Sequence, residues 1–238
     1  MHRIDELHTK HPFMGARMLR DQLVRAGFDV GRKHVAILMK RMGINALYQK
    51  PGLSKKYPGH KIYSYLLRGL TIDRANQVWA LDTTYIRMAK GFVYLVAVVD
   101  WASRKVLAAK VAITMESCHA VDVLQEAFNR YGTPEVVNTD QGSQFTAAEF
   151  VKVVEGRGCR LSMDGRGAWR DNIIVERLWK TVKYEHVYLH AYDSVSEARR
   201  SIMQYLDWYN GARSHSNLNR KTPDEAYTVM LPTVKQAA

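Results

Sequence analysis

The sequence predicts a small all-helical domain followed by an α/β domain built on a mixed sheet. Three observations carry this. From Gln77 onward the residue pattern changes from helical spacing to β-branched and aromatic runs. The elements after that point follow the order β-β-β-α-β-α-β-α. Positive charge is gathered in front: residues 1–75 hold 15 Lys/Arg against 5 Asp/Glu, a net of +10, whereas residues 76–238 hold 20 against 18, a net of +2.

The leading helices come first. His11–Gly15 reads as a turn. It is followed by a helix over 16–26, with Met18, Leu19, Leu23 and Ala26 at helical spacing and Gly27 as its stop. A second helix runs from Arg32 to Met42, with Val35, Leu38, Met39 and Met42 as its apolar face and Gly43 beyond it. Two short helices joined by a tight turn, the second opening on Arg32-Lys33-His34 and carrying Lys40, fit a helix-turn-helix whose second helix enters a major groove. An ordinary helical hairpin has the same pattern, and the local basic excess favours DNA. This domain is assigned to residues 1–46, and the unpatterned Pro, Gly, Ser, Lys and Tyr of 47–75 read as a basic linker.

The strands follow. Residues 78–86, 92–100 and 105–113 form an antiparallel meander with a turn at Lys90-Gly91. A helix over 117–131 buries Ala120, Val121, Val123, Leu124, Ala127 and Phe128. Val136-Val137 is a short buried strand, followed by a helix near 147–155 and a strand over 160–163. This order is that of a ribonuclease-H-like fold, assigned to residues 76–190. Beyond it, 191–238 reads as a helical extension packed on the core: a helix capped by Asp193 or Ser194, with Ala198, Ile202, Tyr205, Leu206 and Tyr209 as its stripe, then a helix begun by Thr222-Pro223.

Composition narrows the function. With 47% hydrophobic residues, 238 residues suffice for one full core and a small satellite. The chain has no apolar run long enough to span a bilayer and no signal-peptide pattern at its start, so a soluble, intracellular protein with no membrane partner is expected. Cys118 and Cys159 form no C-x-x-C pair and read as reduced structural thiols.

One carboxylate needs explaining. Asp82 lies inside an apolar strand, where an unpaired charge costs several kcal/mol unless a partner compensates it. A divalent cation is the natural partner, and two other acids are placed to share it. Asp140 sits at the mouth of the Val136-Val137 strand, and Glu176 follows on a helix, with 35 residues between the two. On that helix Ile174, Val175, Leu178, Trp179 and Val182 form an apolar stripe; Glu176, Lys180 and Lys183 form a second stripe on roughly the opposite face. A solvated Glu–Lys pair is the simpler reading of that face. Asp100 ends a strand at a turn, and capping accounts for it.

Together, Trp79–Tyr85, Asn138–Phe145 and Asp171-Asn172 ahead of Glu176 resemble the D, D(35)E signature of retroviral integrases and insertion-sequence transposases. Ser162–Gly167 and Tyr209-Asn210 with Arg213-Ser214-His215 are similar to the insertion-sequence family numbered three, in its second-frame catalytic product. The resemblance implies that Asp82, Asp140 and Glu176 are catalytic and bind two Mg²⁺ ions, for which Mn²⁺ substitutes. It also implies that Lys180 and Lys183 lie along the element's terminal DNA, and that the activity is 3′-end cleavage and strand transfer. A homo-multimer on DNA, an upstream-frame protein as fusion or partner, and a bacterial cytoplasmic, nucleoid-associated location are implied as well. Phe145, Ile173-Ile174 and Ser214 depart from the family pattern without touching a metal ligand. The alternatives are a hydrolytic ribonuclease-H-like nuclease and a non-catalytic DNA-binding regulator. Arg213 and His215 read as a surface pair, with DNA contact as the alternative.

Overall fold

A computed structural model describes residues 1–46, 63–164 and 172–231. The chain divides into two compact units, Met1–Pro58 and Gly59–Ala238.

The described residues of the first unit form three helices: α1 (His2–Lys10), α2 (Ala16–Arg25) and α3 (Arg32–Arg41). Ile4, Met14, Leu19, Leu23, Val35 and Met39 form its small core. Periodicity does not reveal α1, because a charged helix with only Ile4 and Leu7 turned inward has too few apolar positions to show a period. Met18 and Ala26, expected in the core, are exposed; Leu19 and Leu23 hold α2 in place. On α3, burial of Val35 and Met39 turns Lys33, Ile37 and Lys40 outward together. Arg32 and His34 are exposed beside them.

The second unit is a five-stranded mixed sheet of order β3-β2-β1-β4-β5, made of β1 (Val78–Arg87), β2 (Phe92–Asp100), β3 (Val106–Ala112), β4 (Val136–Thr139) and β5 (Arg160–Met163). β1–β2 and β2–β3 are antiparallel, whereas β1–β4 and β4–β5 are parallel. Gly91, at φ +77°, makes the β1–β2 turn in a conformation that L side chains resist. At the β2–β3 turn Asp100 is fully buried; its carboxylate accepts from the backbone N–H of Asn76 (2.8 Å) and of Ser103 (2.9 Å) and from Ser103 Oγ (2.6 Å). Its role is the turn cap expected from the sequence.

Alternation along β1 sends Trp79 and Leu81 to one face of the sheet and Ala80 and Ile86 to the other. The first face packs on α4 (Ser117–Tyr131) and α6 (Ala148–Gly156), which a short α5 (Ser143–Thr146) precedes. The second packs on α7 (Ile173–Glu185) and α8 (Val195–Gly211). Val175, Leu178 and Val182 of α7 are fully buried there, each contributing about 1.5–3 kcal/mol of apolar burial.

The sheet edges are covered. Asn210 of α8 donates Nδ2–H to the Val106 carbonyl (2.8 Å) and accepts from the Val106 N–H (2.9 Å), so its amide pairs with β3 as a strand would. On the far side Leu66 N–H donates to Ser162 Oγ on β5, and Leu67 packs with Val78 and Val136. Tyr63, Tyr65, Leu66, Leu67, Ile72 and Ala75, assigned to the linker by composition, therefore pack on the core; residues 47–62 of that linker lie outside the described residues. Ser194 caps α8 by accepting from Glu197 N–H. Thr222 and Glu225 form a reciprocal capping box on α9 (Pro223–Met230).

Candidate active site

The sheet brings Asp82 and Asp140 together. The parallel register pairs Ala80 with Asn138 and Leu81 with Thr139, so one further step places Asp82 beside Asp140. Asp82 falls on the same face as Ala80, toward α7, and its antiparallel partner Ala97 is small enough to leave room above it. Asp140 leaves the strand in a tight turn in which its Oδ1 accepts from Gly142 N–H (2.8 Å). The turn is braced by Asp164, just past β5: Gln141 Nε2–H donates to the Asp164 carbonyl, and Asn138 Nδ2–H to Asp164 Oδ1.

Glu176 comes from α7. It is exposed, as the periodicity predicts, while Ile174, Val175, Leu178, Trp179 and Val182 are buried. The Glu–Lys pair of the simpler reading does not form among the described residues. The residue that sequence reasoning misses is Trp179. Periodicity places it wholly in the apolar stripe, yet its indole Nε1–H donates to Asp82 Oδ2 at 2.8 Å. The available signal is chemical: Trp is the one member of that stripe with a donor, and, three residues after Glu176, it stands at the edge of the apolar stripe nearest the polar one.

Charge is concentrated at this point. Burial, then the Asp140 carboxylate, then more weakly Glu176, push Asp82 up to about 6; the Trp179 indole and the Thr83 amide hold it partly back. Burial also raises Asp140, opposed by the Gly142 amide. Lys183 is half-buried near Asp82: burial lowers its pKa and the carboxylate raises it. Among the described residues no three His, Cys, Asp or Glu side chains close into a ready-made metal cage. Asp82 and Asp140 stand together, whereas Glu176 is carried separately on α7 and acts on Asp82 only weakly; the repulsion among these acids is of the kind a hard divalent cation relieves.

Space at Gly142 is taken up by side-chain ends. The glycine's φ of −61° suits any residue, but a Cβ there would stand 2.8 Å from Asp140 Oδ1 and 3.0 Å from both amide atoms of Gln144. Gly142→Ala is therefore expected to displace the Asp140 carboxylate. Cleavage of labelled DNA should fall about 10- to 100-fold with little change in melting temperature. A full cleavage rate would show that the carboxylate is not held by this turn.

The two lysines of the polar stripe part company. Lys183 faces a cleft with Tyr85, Arg87, Phe92 and Tyr188, whereas Lys180 faces a different one with Arg177 and Arg104. Arg213 forms the expected surface pair, but with Glu185: Nε–H donates to Oε2 (2.8 Å) and Nη2–H to Oε1 (2.5 Å). His215 sits beside Arg213, and burial together with that guanidinium pushes it down to about 4.

Comparison with known proteins agrees with this architecture. Residues 72–168 and 157–223 match the family described as integrase core domain, and residues 1–52 match an HTH-like domain. Transposase InsF for insertion sequence IS3A of Escherichia coli K12 is 30% identical over 217 residues, covering 89% of this chain and 75% of that protein. The chain belongs to the IS3 family of transposases. A second relative of this transposase, that of element IS904 from Lactococcus lactis, is 29% identical over 226 residues, covering 89% of the chain and 86% of the relative. Among solved structures, the HTLV-2 integrase catalytic core domain in complex with magnesium matches with a TM-score of 0.52 at 21% identity, over 65% of the transposase chain and 97% of the core domain. The simian T-cell lymphotropic virus intasome matches at 0.57 and 19%, over 99% of the transposase chain and 77% of its own. At such identities the likeness is one of fold. It places the transposase sheet and its flanking helices in the ribonuclease-H-like class that the element order predicts. Among the described residues no helix is long and apolar enough to cross a membrane.

Proposed function

We propose that Asp82, Asp140 and Glu176 are the catalytic carboxylates of a DDE-type polynucleotidyl transferase. They would hold two Mg²⁺ ions, or Mn²⁺ in their place, against a DNA phosphate. The observation that carries this reading is the placement of Asp82, on β1, beside Asp140, one residue past the end of β4, with Asp82 feeling the charge of both other acids. When bound, such ions supply an activated oxygen nucleophile and stabilise the leaving oxygen. The chain's own residues set the rest. The sheet fixes Asp82, the Gly142 turn fixes Asp140, Trp179 orients the Asp82 carboxylate, and α7 carries Glu176.

Water first opens one phosphodiester to free a 3′-OH. That hydroxyl then attacks a second phosphodiester, one P–O bond forming as another breaks, so neither a nucleophilic side chain nor an external energy source is needed. Lys180 and Lys183 neutralise phosphates of the element's end. In the first unit Arg32, Lys33, His34 and Lys40 present the basic face of a recognition helix. Ile37, 54% exposed between Lys33 and Lys40, adds an apolar contact suited to a thymine methyl. The active form is a multimer on DNA, with the upstream-frame product fused to it or as its partner, and it works in the bacterial cytoplasm at the nucleoid.

The test is incubation of the protein with labelled element-end DNA and Mg²⁺ or Mn²⁺. Joined products are expected from the wild type. Asp140→Asn and Glu176→Gln are expected to yield none while still shifting the DNA in a gel. Cleavage without joining would indicate a hydrolytic nuclease, a shift without either would indicate a DNA-binding regulator, and near-normal turnover of a variant would remove that residue from the site.

A further inference from the structure

On the other flank of α7 lies a cleft of about 620 Å³, between that helix, the β2–β3 turn, the end of α8 and the 3₁₀ turn at Ser216–Leu218. Five cationic side chains line it, Arg104, Arg177, Lys180, Arg213 and Arg220, together with His215 and no Asp or Glu. A solvated basic face would spread such charges apart; here the backbone gathers them into one concavity. Arg104 projects from a turn at φ +66°, and Arg220 follows Asn219, at φ +63° and +53°; left-handed conformations at three residues other than glycine hold these loops against the cleft.

The charge is also under-compensated. Burial holds the Arg104 guanidinium below its ordinary range, and its Nη1 is buried with no hydrogen-bond partner among the described residues. Arg213 is fixed in place by Glu185 and by the Tyr209 ring beneath it, so it is pre-oriented. Glu185 does not itself line the cleft, and Asp100, behind the wall, offsets the burial of Arg104 only in part, so an anion in the cleft would offset the rest. The cleft opens on α7 at Arg177 and Lys180, one and four residues beyond Glu176. A polyanion running along the exposed face of α7 therefore passes from the carboxylates into it.

We infer that this cleft is a second DNA-backbone site, gripping phosphates beyond those at the carboxylates and independently of base sequence. It gives the Tyr209-Asn210…Arg213-Ser214-His215 motif two tasks: Asn210 closes the sheet edge, and the residues after it build a phosphate wall. The inference takes from the strand-transfer reading only that the ligand is DNA.

Binding measured without divalent ions keeps the two separable, because chemistry does not enter the readout. The full chain is titrated with a random-sequence duplex over a range of salt. Arg177→Gln/Arg220→Gln, both at exposed positions, is expected to weaken binding of every sequence alike. It should also reduce the slope of log K against log salt by about 2, roughly 0.9 for each phosphate that is no longer neutralised. Arg177→Lys/Arg220→Lys should keep the wild-type slope, which a folding defect would not. An unchanged slope in the Gln pair overturns the inference. So does a cleft that takes only free phosphate, seen as a melting-temperature rise with inorganic phosphate that the Gln pair abolishes while the DNA slope stays as in wild type.

Discussion

Asp82→Asn is expected to abolish DNA cleavage and joining and, in the same molecule, to stabilise the metal-free protein at neutral pH. The loss of activity follows from the metal-holding role proposed for Asp82: losing several kcal/mol of charge stabilisation at the reacting phosphate costs on the order of 10³-fold or more in rate. The stability follows from the displaced pKa, which stands at about 6 against an ordinary 3.8. Below 3.8 the folded and unfolded chains are both protonated, and the group is indifferent to folding. Between 3.8 and about 6 the folded protein keeps a proton that the unfolded chain has released, so wild-type stability falls as pH rises. Above about 6 the whole cost is present, on the order of 2–3 kcal/mol. Asparagine never carries that charge. Urea unfolding should show the variant more stable by that amount at neutral pH, with the gain shrinking to nothing as the pH is lowered toward about 4. A variant no more stable than wild type at neutral pH would mean that Asp82 is not a strained, uncompensated charge.

Trp179 carries the second large effect. Trp179→Phe keeps most of the ring and removes the N–H that donates to Asp82 Oδ2. A hydrogen bond to a charged group contributes about 1.5–3 kcal/mol, which corresponds to one to two pH units. That bond favours the ionised form, so its loss lifts Asp82 further. The acid limb of the pH–rate profile should move to higher pH by about one unit, with activity lost under mildly acidic conditions and recovered under alkaline ones. Trp179→Ala should add a packing loss of about 3–5 kcal/mol, because the ring is buried against the sheet. An unshifted profile in the Phe variant would leave Trp179 as packing alone.

The catalytic half of the fold is legible in the sequence because its signals are local. The runs at 92–100, 117–131 and 160–163 give β2, α4 and β5 with the bounds read from the sequence, since a continuous apolar run, a helical period and a short apolar-leaning segment are each legible from neighbouring residues alone. The stripe Ala198, Ile202, Tyr205, Leu206 and Tyr209 is the buried face of α8 for the same reason. What escapes is non-local. Nothing near Leu67 or Ala75 says that they pack on the sheet, because their partners Val78, Val136 and Met230 are set by tertiary contacts. Helix α1 has too little apolar content to announce itself. The adjacency of Asp82 and Asp140 is a matter of strand register, which spacing along the chain does not encode. The basic cleft draws on Arg104, Arg177 and Arg220, far apart along the chain, and only the packing of α7 against the β2–β3 turn and α8 unites them.

The most direct measurement is anomalous diffraction from crystals of the protein with bound Mn²⁺. Anomalous density is expected between the Asp82 and Asp140 carboxylates, each oxygen about 2.0–2.3 Å from the ion, with Glu176 turned toward the same density. Manganese held elsewhere, with the space between Asp82 and Asp140 free of anomalous signal under saturating metal, would contradict the metal-holding role of these carboxylates.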